Sequence, residues 1–187
     1  MRSSYVEPGP LGLVLAALQP ANRLVFEVML ATGQRVGDVL NLRTEQVQRQ
    51  RFTVREAKTG KTRRVYIPKD LQLRLLSQAG RLYCFEGRND WRRPRTRQAV
   101  WKDCKRVARF FQSSGAVPKK ASVSPHSARK VYAVGEYRRT GDLDAVRRKL
   151  NHDPAHVATT LVYALSDQLT PEELKSMAPA KRRGRKE

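Results

Sequence analysis

The clearest departure from helical spacing in this chain is a single stretch. From Arg51 to Ala57 apolar and polar residues alternate with a period of about two, Thr59-Gly60 supplies a turn, and Arg63 to Pro68 reads as the returning strand. The result is one β-hairpin in a chain whose other patterns are helical. Leu11–Leu18 and Ala21–Ala31 carry helical apolar spacing, divided by Pro20, whose fixed φ suits the first position of a helix. Gly33 is placed to end the second helix, and Arg35–Leu42 reads as a short third one. Further helices are expected at Asp70–Ala79, Thr96–Gln112, Pro125–Arg139, Leu143–Leu150 and Ala155–Leu161, with a short strand possible at Leu82–Phe85. Pro171-Glu172-Glu173-Leu174 could open a last short helix. The fold class expected is α+β, mainly α, with a small antiparallel sheet. At 187 residues the chain can bury a core without metal or disulfide staples.

Charge narrows the partner. The chain carries 38 Lys and Arg against 17 Asp and Glu, a formal net charge of +21. Of these, 28 cations and 8 anions fall within residues 49–150, whereas residues 1–48 are balanced. A basic middle inside an otherwise balanced globular sequence points to a surface that follows phosphates. RNA would satisfy that charge as well as DNA. A membrane surface fits less well, because the cations are not confined to one amphipathic helix. No run approaches the roughly 20 apolar residues of a membrane span, and the N-terminus lacks the order of a signal peptide. Cys84 and Cys104 are the only cysteines, without a CxxC or nearby histidine, so neither a disulfide framework nor a zinc site is indicated. Residues 179–187 read as a basic, disordered tail that binds polyanions without specificity.

Metal nucleases need clustered carboxylates, and the acids here are scattered. If this chain cuts nucleic acid, cationic side chains must stabilise the charge while a side chain attacks. His126 and Arg129 stand three apart on an expected helix, so imidazole and guanidinium can meet one phosphate. Arg35 follows Ala31-Thr32-Gly33 at a junction of apolar helices, with Asp38 placed to hold it. Lys58 stands near the hairpin tip, His152 at a helix junction, and Tyr163 at the end of an apolar stretch. Taken singly, each is more often an ion pair, a solvated charge or a packing residue.

In order, however, Arg35, Lys58, His126-x-x-Arg129, His152 and Tyr163 make a pattern that resembles the tyrosine recombinase (phage integrase) family. The resemblance rests on Ala31-Thr32-Gly33-Gln34-Arg35-Val36-Gly37-Asp38, on Lys58-Thr59-Gly60 before a basic strand closing in Pro68, on His126-Ser127-Ala128-Arg129 after Pro125, on Leu150-Asn151-His152, and on Thr159-Thr160-Leu161-Val162-Tyr163. It covers residues 10–167. Two features depart from the pattern. Asn151 replaces the usual glycine, and the interval from His152 to Tyr163 is longer by two residues. His156 is therefore a rival for the second histidine, although the Leu-x-His context and the interval from Arg129 favour His152.

The resemblance implies a catalytic domain over residues 1–178 that acts on double-stranded DNA without metal, cofactor or ATP, through a 3′-phosphotyrosyl intermediate. Tyr163 would be the nucleophile, Arg35 and Arg129 would bind the non-bridging oxygens, and His126 and His152 would hydrogen-bond the same phosphate. Lys58 would protonate the leaving 5′-oxygen, with Asp38 in a supporting role. Members typically carry a helical DNA-binding domain ahead of the catalytic one. Little sequence precedes the first helix here, so that half of the clamp is expected to be absent, with an accessory protein as its possible source. A homotetramer on DNA, in a bacterial or phage-infected cytoplasm, is the implied setting. Two alternatives remain open: a DNA-binding module that kept the fold without autonomous catalysis, and a type IB topoisomerase-like relaxing enzyme.

Overall fold

The computed structural model describes residues 3–169, so the expected last helix at Pro171 and the basic tail lie outside the described residues. Among the described residues the chain forms eight helices and one two-stranded sheet. It divides into two compact units, Met1–Tyr132 and Ala133–Glu187, with the division falling inside α6 (Pro125–Thr140).

In the first unit, α1 (Pro8–Ala16) and α2 (Pro20–Thr32) both begin on proline, whose missing N–H is not needed in a first turn. The α2 helix stops because Gly33 takes a left-handed conformation, φ 66° and ψ 13°, and its N–H closes on the Met29 carbonyl at 2.8 Å. The chain re-enters a helix at once, as α3 (Val36–Leu40), with Arg35 as the extended residue before it. This stop and restart fixes where Arg35 sits. The hairpin follows as β1 (Arg51–Arg55) and β2 (Thr62–Tyr66), antiparallel with Phe52 opposite Val65 and Val54 opposite Arg63. Alternation places Phe52, Val54, Val65 and Arg63 on one face, of which both valines are buried, and sends Arg51, Arg55 and Arg64 to solvent.

A short helix α4 (Lys69–Gln78) and the long amphipathic α5 (Arg97–Ser113) complete the wall of this unit. The core runs through Val14, Val25, Phe26, Met29, Leu40, Ile67, Leu75, Val100 and Cys104, all essentially without exposure. Asp103 ties α5 to α2: its carboxylate accepts from Asn22 Nδ2 at 2.7 Å, the Gln19 N–H at 3.0 Å and Arg106 at 2.7 Å. Burial opposes the charge on Asp103, but these donors prevail and its pKa falls below the usual value.

The possible strand at Leu82–Phe85 does not form. Tyr83 makes a single bridge to Arg43, and a second isolated bridge joins Glu86 to Pro94, because no extended neighbour runs beside them for longer. The sequence reading also passes over a 3₁₀ turn at Gln46–Gln48, too short to register as a period.

The second unit holds the rest of α6, then α7 (Leu143–Leu150), a 3₁₀ turn at Pro154–His156 and α8 (Val157–Ala164). The α7 helix starts on an Asp142 cap, whose side chain accepts from the Asp144 N–H at 2.7 Å. It ends on Asn151 in the left-handed region, φ 53° and ψ 39°, the one non-glycine with positive φ among the described residues. Asparagine tolerates this conformation, which accounts for its standing where glycine is the usual choice.

Gly33 cannot be replaced cheaply. A Cβ there would require a left-handed alanine and would drive into the ring of Tyr132. Gly33→Ala should therefore destabilise the protein by about 2–4 kcal/mol, the sum of backbone strain and overpacking, measured as a shift of the urea midpoint. Gly135→Ala, in open space inside α6, is the control and should stabilise by about 0.5–1 kcal/mol.

Candidate active site

Four of the six expected catalytic residues lie in the first unit and come together there: Arg35, Lys58, His126 and Arg129. Arg35 owes its position to the Gly33 stop, and its side chain is 19% exposed. One edge of its guanidinium donates to Glu56 Oε2 at 2.5 Å, and Asp38 Oδ2 lies 3.9 Å away. The other oxygen of Asp38 accepts the Ala57 N–H at 2.9 Å, at the foot of the Lys58 turn.

Lys58 stands exposed on the six-residue connection from Glu56 to Lys61. That connection is closed by two backbone hydrogen bonds, Glu56 N–H to the Lys61 carbonyl and Gly60 N–H to the Glu56 carbonyl, both at 2.9 Å. Gly60, at φ 68°, supplies the left-handed residue that the reversal needs.

The α6 helix brings the other two. His126 is in its first turn and Arg129 one turn on, so both occupy one face. Arg129 donates to the Gly33 carbonyl, which joins α6 to the end of α2. Its residue exposure is 1%, making it the largest fully buried side chain in the chain's described part. Arg129, expected to bind a phosphate, lies beneath the surface here, closed to solvent.

His126 is open to solvent on one side and walled by protein on the other. Its pKa is lowered, first by desolvation and then by the charges of Arg129, Arg35, Lys58 and Lys130. Near neutral pH the ring is neutral and can accept or donate one proton. From His126 a basic groove runs along α5, lined by Arg97, Trp101, Lys105, Arg109 and Lys120 and by no acidic residue.

His152 and Tyr163 lie in the second unit. His152 follows the Asn151 cap, its Nδ1 is 3.0 Å from Thr160 Oγ1, and its ring meets that of Tyr163 edge to face with centroids 5.5 Å apart. Both residues are partly exposed. The side chain of His156, the rival second histidine, lies outside the described residues.

Sequence reasoning missed two residues of this site, Glu56 and Arg63. Glu56 is 1% exposed; Thr59 Oγ1 donates to it at 2.8 Å and Arg63 reaches within 4.0 Å. Arg63 also donates to the Thr32 carbonyl at 2.7 Å, and burial lowers its pKa. A signal was present, since Glu56 is the one acid between Glu45 and Asp70 in a strongly basic stretch. Cys84 and Cys104 are buried and unbridged, and burial pushes both thiols up to about 12, which makes them poor nucleophiles near neutral pH. No three His, Cys, Asp or Glu side chains gather as a metal site among the described residues. No helix among them is long and apolar enough to cross a membrane.

The chain belongs to the phage integrase family, whose model matches residues 13–169. Its fold is similar to that of XerA recombinase, at 24% identity over 95% of this chain and 64% of that one, with a TM-score of 0.66. The lambda integrase (75-356) dimer bound to a COC' core site matches at 17% identity over 91% and 62% of the two chains, TM-score 0.72. The Tn1549 transposon integrase (aa 82-397) in complex with circular intermediate DNA matches at 14% over 94% and 66%, TM-score 0.69. The chain thus spans about two thirds of the length of these structures, and at such identities the likeness establishes the tyrosine recombinase catalytic-domain fold. A comparison with curated proteins returns no match.

The electrostatics of His126 generate a measurable expectation. Its folded pKa lies below the usual 6.5, so the unfolded chain binds more protons across the window between the two values. Stability should fall as pH drops through about 6.5 towards the folded pKa. Histidine Cε1–H NMR titration should place His126 below 6.5, and Arg35→Gln, which removes a repelling charge, should move it upward.

Proposed function

We propose that this chain is the catalytic domain of a site-specific DNA recombinase, which cuts and rejoins DNA through a tyrosyl phosphodiester. The observation that carries the reading is the gathering of Arg35, Lys58 and Arg129 around His126, beside a basic groove lined by no acidic residue. Double-stranded DNA is the substrate, its phosphates following that groove, and the DNA-bound state of the lambda and Tn1549 integrases supports the same choice. A homotetramer on DNA is the working assembly, with an accessory protein as a possible source of additional clamping contacts.

Tyr163 attacks the scissile phosphorus, a bond forms from its phenolic oxygen, and the bond to the 5′-oxygen breaks. One phosphodiester replaces another, so the energy of the bond is retained and the religation needs no ATP. Charge builds on the two non-bridging oxygens, and Arg35 and Arg129 stabilise it. For Arg129 this requires the floor at Gly33 to open towards the phosphate, since the side chain is buried. His126, neutral before binding, hydrogen-bonds the phosphate and takes the tyrosine proton; His152 donates to the same phosphate with its ring held by Thr160. Lys58 delivers a proton to the departing 5′-oxygen. Asp38 and the turn it holds keep Lys58 near Arg35.

Tyr163→Phe should abolish the covalent adduct with nicked DNA, scored on a denaturing gel, while DNA affinity stays within a few-fold. Equal adduct yield from that variant would remove Tyr163 as nucleophile, and no adduct from the unsubstituted chain would favour a DNA-binding module without autonomous catalysis.

Lys58 and the arginines can be separated by the leaving group. Lys58→Ala should slow cleavage by roughly 10² to 10⁴, the usual worth of general acid catalysis. On a substrate with a 5′-bridging sulfur, a leaving group that needs no proton, that defect should largely vanish, whereas Arg35→Ala should stay slow. An unrescued Lys58→Ala would refute the acid assignment.

A further inference from the structure

The residue at the centre of the first unit's site is one that the proposed chemistry does not use. Glu56 follows directly on β1, and its carboxylate is buried beside the two cationic ends of Arg35 and Arg63. One oxygen, Oε2, accepts from both Arg35 at 2.5 Å and Thr59 at 2.8 Å. Those two partners come from different places in the fold. Arg35 stands at the start of α3, and Thr59 is the residue next to Lys58 in the hairpin turn. The backbone of Glu56 adds to this, because its N–H and carbonyl make the two hydrogen bonds that close the turn around Lys58.

We propose that Glu56 is a positioning residue that clamps Arg35 and the Lys58 turn to each other through a single carboxylate oxygen. The inference rests on the recombinase reading above. Its physical basis is a matter of charge and geometry. Arg35, Lys58, Arg63 and Arg129 crowd one neighbourhood, and like charges at such range push flexible side chains apart. A buried anion between Arg35 and Arg63 opposes that spreading. Asp38 alone does not serve, because its nearest oxygen stands 3.9 Å from Arg35, beyond hydrogen-bond range. Lys58 itself is exposed on a turn, and such turns sample many conformations unless a side chain ties them down. Thr59 provides that tie. Arg35 and Lys58 are thereby held in one frame, which two groups acting on opposite oxygens of one phosphate require.

The test uses the full chain and a nicked duplex selected from a randomised pool for adduct formation with the unsubstituted protein. Glu56→Gln keeps the shape and removes the charge. It should slow adduct formation on the order of 10²-fold with DNA affinity within a few-fold, and a 5′-bridging sulfur should restore only part of the rate, since Arg35 is also displaced. Thr59→Val removes the link from Glu56 to the turn, together with the longer Lys61 N–H contact at 3.4 Å inside the turn, and leaves the Arg35 contact in place; it should slow the ordinary substrate about tenfold and be fully restored by the sulfur. A defect from general unfolding would be the same on both substrates. Hydrogen exchange at the Glu56 and Gly60 amides should quicken about tenfold in Glu56→Gln, a readout that needs no catalysis. Wild-type rates for Glu56→Gln, or for Thr59→Val if Glu56→Gln does not fold, would overturn the clamp. If the unsubstituted chain forms no adduct the recombinase reading fails instead, and unchanged amide exchange in Glu56→Gln would then reject the clamp on its own.

Discussion

The first unit is organised around a buried anion among cations. Glu56 is almost without exposure, and a carboxylate in that position is tolerable only when charged partners surround it. Arg35 and Arg63 do so at its two oxygens, one from the start of α3 and one from the inward face of β2. The arrangement joins a helix junction to a hairpin. Without it, the inward-facing Arg63, next to Val54 and Val65, would keep the Thr32 carbonyl but lose its nearest carboxylate.

A second constraint is the left-handed glycine at the end of α2. Gly33 turns the chain so that Arg35 precedes the next helix, and it leaves a carbonyl that receives the Arg129 guanidinium. The same residue lies against the Tyr132 ring with no room for a side chain. Two arginines far apart in sequence are thus located by one backbone feature. Asn151 performs the corresponding turn before His152 in the second unit, where an asparagine suffices because its short amide tolerates positive φ.

Most of the fold was legible beforehand, and for local reasons. The prolines at the starts of α1 and α2, the Gly33 stop and the Leu143–Leu150 span follow from capping chemistry and apolar spacing, which act over a few residues. The hairpin was legible because its period differs from everything around it. The Leu82–Phe85 segment was not, because a strand exists only if another extended segment lies beside it, and here only an isolated bridge does. The expected site residues form an ordered list of residue types in the sequence, of which Arg35, Lys58, His126 and Arg129 gather in the first unit. Glu56 and Arg63 were absent from that list, since each looks like an ordinary charge in a hairpin until its partner is known.

The sequence by itself determined the family and the mainly helical architecture with one hairpin. These depend on periodicity, caps and motif order, all of which are written along the chain. Tertiary structure alone decided which of those charges share a site and in what state. It buried Arg129 against the Gly33 carbonyl, lowered the pKa of His126 through desolvation and neighbouring cations, and set Glu56 between Arg35 and Thr59. The physical reason is range: capping and periodicity act between neighbours in sequence, whereas burial and Coulomb interaction depend on distances that exist only after the chain has folded.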